Sequence, residues 1–305
     1  MKTDFFEFIS ENKTFSAVLW LPEGDTKAVL QIAHGMTEHI GRYETFAEQM
    51  TAHGIAVCGF DLRGHGKNGV DEEVASFGEN GWALSLNDMR NFFEEMKNRF
   101  PNVPYFMMGF SLGSFLLREY LSLYPDDVDG AAIIGTGYQP GWVLSVMKAI
   151  VKGEWKKAGF DDTTTLVKKL SFETYNQKFK PNETDSDWLC ADEDELYEYI
   201  RDPLCKKYIS AGLFWQLLDS MKRTGKSTAA SAWRKDMPVL LMSGENDPVG
   251  NNGKGVETVC RQLQKLGMTN VTVQLFPNAR HDLLHEKKSG NAEKAVQTLL
   301  SWMDV

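Results

Sequence analysis

Along the first 140 residues, segments with the apolar pattern of strands alternate with segments whose apolar residues recur at the period of a helix. Short runs rich in β-branched and aromatic residues predict strands, and they cover residues 14–22, 28–35, 55–61, 104–111 and 130–135. Between these runs the apolar side chains recur at helical spacing, and each such segment ends at a glycine or a proline; the segments are 42–54, 85–101 and 112–125. Strands that alternate with helices predict βαβ units, and therefore a mostly parallel sheet with helices on both faces.

This alternation stops after Gly137 and returns near residue 236. Residues 139–235 lack the pattern of buried strands, are helix-like and charged, and contain five of the eight tryptophans. The runs 237–247 and 271–277 then predict strands again, each followed by a helical pattern. We therefore expect a helical cap, residues 139–235, inserted into one α/β core that comprises residues 1–138 and 236–305.

Composition narrows the class of protein. A chain of 305 residues with 42% hydrophobic residues can bury one substantial core with an inserted module, as in a soluble globular protein. No apolar run approaches the roughly 18 residues that cross a bilayer, and the N-terminal segment is too acidic for a signal peptide. The four scattered cysteines are typical of reduced thiols, so we expect a cytoplasmic protein. A net charge of -9 without a basic stripe argues against nucleic acid as a partner.

Ser111 is the first candidate for chemistry. It lies in the segment GFSLG, between Gly109 and Gly113, directly after an apolar strand and directly before an amphipathic helix. This G-x-S-x-G pattern places a serine on a sharp strand-to-helix turn, where flanking glycines let the backbone pass closely. The amides at the start of the helix favour negative charge near the hydroxyl. We therefore predict that Ser111 is a nucleophile; a serine that only caps the helix is the alternative.

A serine nucleophile needs a base and a group that orients the base. In this pattern both are expected later in the chain, first an acid and then a histidine, each in a loop after a strand. Asp247 follows the strand at 237–244, with Glu245 as the second choice, and His281 follows the strand at 271–277. The other five histidines either precede the serine or lie within a helix start, so we predict that Asp247 and His281 complete the set.

The reaction also needs donors for the oxyanion. Backbone N-H groups usually supply them, one from the residue after the nucleophile and one from the loop after an early strand. Leu112 follows Ser111, and the segment IAHGMTEH turns at Gly35 so that the amide of Met36 can point inward. We predict an oxyanion hole formed by the amides of Met36 and Leu112, in which the side chain of Met36 has no chemical role.

Five segments together resemble the α/β-hydrolase fold, in particular its monoacylglycerol lipase, lysophospholipase and serine-aminopeptidase-like group. They are AHGMTEH, FDLRGHGKN, GFSLGS, SGENDPV and ARHDLLHE, in the order typical of the family and spread over both ends of the chain. The resemblance implies an eight-stranded, mostly parallel sheet with an inserted cap. Carried over residue by residue, it implies the same roles for Ser111, Asp247, His281, Met36 and Leu112. Where the family commonly has glutamate directly after the histidine, this chain has Asp282.

We therefore expect a serine hydrolase that cleaves carboxylic esters through an acyl-enzyme and needs no metal or cofactor. The aromatic cap favours a small ester with an apolar acyl chain, such as monoacylglycerol or lysophospholipid. Two alternatives stay open: an aminopeptidase, for which the acidic segment ADEDELYEY would hold a free amine, and a catalytically silent member that binds a small ligand. The apolar stripe in residues 141–151 is typical of a buried cap helix, and transient contact with a membrane surface is also compatible with it. The sequence does not determine the oligomeric state.

Overall fold

A central sheet of eight strands organises the protein, whose computed structural model describes all 305 residues. The strand order in this sheet is β1-β2-β4-β3-β6-β7-β9-β10. The first two strands run antiparallel to their neighbours and the others are parallel. The strands are β1 (Lys2–Ser10), β2 (Lys13–Leu21), β3 (Ala28–Ala33), β4 (Ile55–Phe60), β6 (Tyr105–Phe110), β7 (Gly130–Ile134), β9 (Val239–Gly244) and β10 (Val271–Phe276), with β5 (Val74–Ala75) and β8 (Tyr208–Ile209) forming a separate small parallel pair.

Ten helices connect these strands. They are α1 (Glu44–Ala52), α2 (Gly81–Arg99), α3 (Leu112–Leu123), α4 (Gly141–Ala158), α5 (Thr165–Lys168), α6 (Thr174–Asn176), α7 (Glu193–Arg201), α8 (Ala211–Thr224), α9 (Lys254–Lys265) and α10 (Asn291–Met303), and a π-helical turn, Lys169–Glu173, joins α5 to α6. The expected α/β fold with an eight-stranded, mostly parallel sheet is therefore confirmed.

The two faces of the sheet explain why its parallel strands are almost continuously apolar. Along β6, Met107 packs into a core of 48 buried residues on one face, whereas Phe106 and Met108 pack into a core of 27 buried residues on the other. Successive side chains of a strand point to opposite faces, so a strand covered on both faces has no polar side. The larger core includes residues of α2, α3 and α8, and the smaller one residues of α1 and α10.

The N-terminal strand β1 is absent from the strand runs read from the pattern. It pairs with β2 along its whole length, from Lys2 opposite Leu21 to Ser10 opposite Lys13. As an edge strand it has one face in solvent, and Phe5 and Ile9 on that face are 66% and 70% exposed. Apolar residues on both faces therefore hide the alternation that normally identifies a half-buried strand.

Between β7 and β9 the chain leaves the large sheet and forms α4 to α8. We call residues 139–235 the inter-strand segment. Its residues Leu144, Val151 and Leu213 belong to the larger core, so the segment packs on the sheet domain instead of standing apart from it. In α4 the opposite face carries Trp142 and Val146, which are exposed. None of the helices is both long enough and apolar enough to span a bilayer.

Candidate active site

Ser111 occupies a strained turn between β6 and α3. Its backbone angles are φ +50° and ψ -114°, outside the regions that residues with a side chain normally adopt. Such a conformation costs on the order of 1–3 kcal/mol and persists only where the surrounding structure imposes it. Here the Ser111 N-H donates to the Ile134 carbonyl at 2.9 Å, and the Ser111 carbonyl accepts from Ser114 N at 2.9 Å. The turn is therefore held by both the neighbouring strand and the helix.

The two glycines beside Ser111 lie where no side chain fits. A Cβ atom on Gly109 would lie 2.4 Å from the Gly113 carbonyl oxygen, and a Cβ on Gly113 would lie 1.9 Å from the Ala33 carbonyl oxygen. Both distances are far below van der Waals contact. The first turn of α3 therefore lies directly against the end of β6 and against the end of β3, so that the loop after β3 comes close to Ser111.

The structure brings Ser111, Asp247 and His281 together. Asp247 follows β9 and His281 follows β10, and both loops leave the sheet at the same edge as Ser111 because their strands are parallel. The Nε2 atom of His281 is 2.8 Å from Ser111 Oγ, and its Nδ1 atom is 2.9 Å from Asp247 Oδ1. The side chains of His281 and Asp247 are 1% and 0% exposed. Glu245, the second choice for the acid, is exposed.

The two contacts of His281 differ in quality. Nε2 makes a hydrogen bond with Ser111, whereas the Nδ1 approach to Asp247 has ion-pair distance but not the direction of a hydrogen bond. Catalytic hydrogen bonds are often poorly aligned before substrate binds. Asp247 is held independently, since it accepts from Val249 N at 2.8 Å and from Ser243 Oγ at 3.1 Å. Burial raises the pKa of the neighbouring Tyr175 hydroxyl to about 12, and the negative charge of Asp247 contributes to this increase.

The loop after β3, which carries Met36, packs against the turn around Ser111. A Cβ on Gly35 would meet the ring of Phe110 at 2.9 Å, so this loop lies against the residue that precedes Ser111. The Met36 N-H donates to no acceptor, and Leu112 is the first residue of α3, where the N-H groups have no partner within the helix. Backbone amides without an acceptor are what an oxyanion hole requires.

His34 fixes the start of this loop. Leu62 N donates to its Nε2 at 2.9 Å, so the proton lies on Nδ1, which is 2.8 Å from the Gly35 carbonyl oxygen. Burial lowers the pKa of His34 to about 3, and the ring is therefore neutral at physiological pH. A neutral ring in this tautomer joins two loops: it accepts from Leu62 N-H after β4 and donates to the Gly35 carbonyl after β3.

A buried charged network, not anticipated from the sequence, joins the loop after β3 to the loop that carries His281. The Glu38 carboxylate accepts from Gly35 N and from Tyr43 Oη, and it pairs with Arg42. Arg42 also pairs with Asp282 at 2.8 Å, next to His281. Burial raises the pKa of Asp282, but His285 and Arg42 oppose this and hold it well below its usual range. The position of Asp282 after the histidine was the only sequence signal for this network.

Two aromatic rings pack against the His281 imidazole. The ring centroid of Phe110 is 4.9 Å from that of His281, with 38° between the planes, and the centroid of Trp188, from the inter-strand segment, is 5.2 Å away. Trp188 in turn packs on Phe172 and Tyr175. The sequence shows that the inter-strand segment is rich in tryptophan, but only the folded chain shows which one reaches the histidine.

One group of side chains has the donor types of a metal site. The ligand atoms of His39, Asp202 and Cys205 lie within 4.8 Å of one another. His39 Nε2 is already 2.8 Å from Asp202 Oδ2, and burial raises the pKa of the Cys205 thiol well above its usual range. The hydrogen bond between His39 and Asp202 accounts for this contact, and the Cys205 thiol lies buried beside it.

Comparisons with known proteins identify the family of the chain. Residues 24–288 match the family model described as serine aminopeptidase, S33. The chain is 24% identical to the monoacylglycerol lipase of Mycolicibacterium smegmatis over 93% of its own length and 91% of that protein. It is 24% identical to human monoglyceride lipase, covering 93% of this chain and 84% of the other. Among solved structures, a thermostable carboxyl esterase from Bacillus coagulans superimposes with a TM-score of 0.87 at 21% identity, over 100% of this chain and 98% of the other.

Proposed function

We propose that this chain, a carboxylic ester hydrolase that belongs to the serine aminopeptidase S33 family, works through a covalent acyl-enzyme on Ser111. The observation that carries the proposal is the 2.8 Å contact between Ser111 Oγ and His281 Nε2. A serine hydroxyl is a poor nucleophile unless a base accepts its proton. The buried imidazole of His281 is positioned to do so.

In the proposed reaction, Ser111 Oγ attacks the ester carbonyl while His281 takes its proton. Asp247 stabilises the imidazolium, and the amides of Met36 and Leu112 bind the oxyanion, at roughly 3 kcal/mol each. His281 then returns the proton to the leaving alcohol, and the acyl group stays on Ser111. A water molecule, deprotonated by His281, attacks this acyl-enzyme, which releases the carboxylic acid and restores the serine.

We propose an ester with an apolar acyl chain as substrate, of the monoacylglycerol or lysophospholipid type. The similar proteins from M. smegmatis and human are a monoacylglycerol lipase and a monoglyceride lipase. Beside His281 the inter-strand segment supplies the rings of Phe172, Tyr175 and Trp188, an apolar lining suited to an acyl chain. We further propose that residues 139–235 form a cap over the site.

The family description also suggests an aminopeptidase, which would need carboxylates facing the substrate amine. The acidic residues at the start of α7 are engaged elsewhere. Glu195 pairs with Lys287 at 2.6 Å, Asp194 pairs with Lys288 at 2.9 Å, and Glu193 is exposed. These carboxylates are paired with lysines or lie in solvent, which favours the ester over the aminoacyl substrate.

Two further features support our proposals of transient contact with a membrane surface and of a cytoplasmic location. On α4, Trp142, Val146 and Ile150 follow one another every fourth residue and are exposed, which fits transient contact with a membrane surface. The four cysteines are buried and free, which fits reduced thiols in the cytoplasm.

A fluorophosphonate probe tests the mechanism. We expect the wild type and Ser145→Ala, on α4, to be labelled, and Ser111→Ala to be unlabelled and slower in turnover by a factor on the order of a million. A folded wild type that resists labelling would instead indicate a silent binding protein. Hydrolysis of p-nitrophenyl esters of rising chain length, monoacylglycerols, lysophospholipids and aminoacyl amides then tests the substrate class. A preference for aminoacyl amides would contradict the ester proposal.

A further inference from the structure

Trp188 lies against the imidazole on which the proposed reaction depends, although it comes from the inter-strand segment and not from the sheet. Its ring centroid is 5.2 Å from that of His281, with 34° between the planes. Trp188 is 7% exposed, and Phe172 stacks at 5.9 Å with 19° between the rings. The indole is therefore fixed in place, with His281 and Phe172 both packed against it.

The backbone directly after Trp188 is tied to the histidine loop. Asp282 N donates to the Leu189 carbonyl at 2.6 Å, and Ala191 N donates to Glu286 Oε1 at 3.1 Å. The guanidinium of Arg280, directly before His281, donates to the Cys190 carbonyl at 3.2 Å. The tryptophan and the histidine therefore move together, and their contact is not an incidental approach of two loops.

The polar atom of Trp188 does not explain why a tryptophan is present. Its indole N-H is buried and has no hydrogen-bond partner. Burying an unsatisfied donor costs on the order of 1–3 kcal/mol, and phenylalanine at this position would avoid that cost. A residue that is unfavourable for stability at a reaction centre indicates a function for its ring.

The ring of Trp188 can act on His281 in two ways. First, the Nδ1 contact with Asp247 is short but not aligned as a hydrogen bond, so the carboxylate alone does not set the plane of the imidazole. The rings of Phe110 and Trp188 pack against the imidazole and restrict its rotation. Second, the imidazole becomes a cation when it accepts the serine proton. The face of tryptophan attracts cations within about 6 Å, most strongly where water is excluded.

We propose that Trp188 is a positioning residue that, packed against the His281 ring as Phe110 is, restricts its orientation and stabilises its cationic form during the reaction. The inference rests on the proposed function of His281. It assigns to the inter-strand segment a part in the chemistry, in addition to any part in binding substrate. It also implies that the portion of this segment around Trp188 stays on the histidine loop throughout the reaction.

Substitutions distinguish an effect of the aromatic ring of Trp188 from an effect of its volume alone. We expect Trp188→Leu to lower kcat by about 10-fold with KM changed less than about 3-fold, and Trp188→Phe to retain an intermediate kcat because it keeps a weaker aromatic face. Trp233→Leu is the matched control, since Trp233 is a buried tryptophan of the same segment whose N-H bonds Ser122 Oγ. It should lower stability without lowering kcat per folded molecule. An effect of Trp188→Leu on KM alone, or equal kcat losses for both leucine variants, would overturn the proposal.

Fluorinated tryptophans give a readout that packing alone would not move. Fluorine removes electron density from the ring face with little change in shape, so 5-fluoro-, difluoro- and trifluorotryptophan at position 188 should lower kcat stepwise, reaching about 5-fold. The same analogues at position 233 should leave kcat unchanged. A flat series at position 188 in an enzyme that still reacts with the fluorophosphonate would overturn this inference alone. A wild type that does not react with that probe would overturn the proposed function and this inference together.

Discussion

Replacing Gly113 by alanine adds a single methyl group at the most crowded point of the turn around Ser111. The new Cβ would lie 1.9 Å from the Ala33 carbonyl oxygen, 2.6 Å from its carbonyl carbon and 2.8 Å from the His34 carbonyl oxygen. All three are backbone atoms, so no rotation of a side chain relieves the clash. Either the first turn of α3 or the loop after β3 has to move by more than about 1 Å to reach an ordinary van der Waals distance.

Two opposing effects set the size of the result. Gly113 is helical, so alanine gains about 1 kcal/mol of helix propensity. Overpacking against backbone costs about 1–3 kcal/mol or more, and we expect a net loss of roughly 1–2 kcal/mol in the free energy of unfolding. Activity should suffer more than stability, because the shift separates Ser111 from the amide of Met36. A displacement of about 1 Å at a reacting centre costs on the order of 100-fold in kcat.

Gly153→Ala is the matched control. Gly153 lies within α4, and a Cβ there would meet no atom within 4 Å. We expect that variant to be stabilised by about 0.5–1 kcal/mol with unchanged kcat. Urea unfolding followed by circular dichroism and hydrolysis of a p-nitrophenyl ester measure both quantities. If Gly113→Ala gained stability as Gly153→Ala does and kept full activity, the close approach of α3 to the loop after β3 would not be required for function.

Three further predictions follow from the site. Ser111→Gly should abolish turnover yet raise the free energy of unfolding by about 1 kcal/mol, because glycine adopts the positive φ without strain; a less stable variant in urea unfolding would show that the turn is not strained. Burial lowers the pKa of His65 to about 3, so between about pH 6.5 and pH 3 the unfolded chain binds a proton that the folded chain does not. The free energy of unfolding should therefore fall by up to about 1.4 kcal/mol for each pH unit over that range. In urea titrations across that range His65→Gln should show a shallower decline than the exposed control His53→Gln, and identical slopes would refute the assignment. Asp282→Asn leaves the buried Arg42 partly uncompensated and should cost about 3 kcal/mol near neutral pH. The difference should shrink below about pH 4, where the unfolded wild-type chain takes up a proton on this carboxylate that the folded chain does not; a pH-independent difference would contradict it.

Much of the sheet was predictable because its determinants are local. A strand buried on both faces is apolar throughout, and an amphipathic helix repeats every 3.6 residues, so each segment carries its own signal. The α/β fold and the resemblance to the hydrolase family are confirmed. The strand β1 was missed because apolar residues occupy both of its faces, although one is exposed. The bounds of the cap and the catalytic roles of Ser111, Asp247 and His281 remain predictions.

What the sequence by itself determined is the chain order of the reacting groups: a serine in a glycine turn after one strand, then an acid and a histidine after later strands. Tertiary structure decided which of them meet. It places Asp247, and not the exposed Glu245, against His281, and it brings Trp188 onto the imidazole from a segment with no strand signal. The local spacing of apolar residues indicates which side of each segment is buried. The contacts between residues nearly a hundred positions apart depend on how those segments pack, and no single window of sequence contains that information.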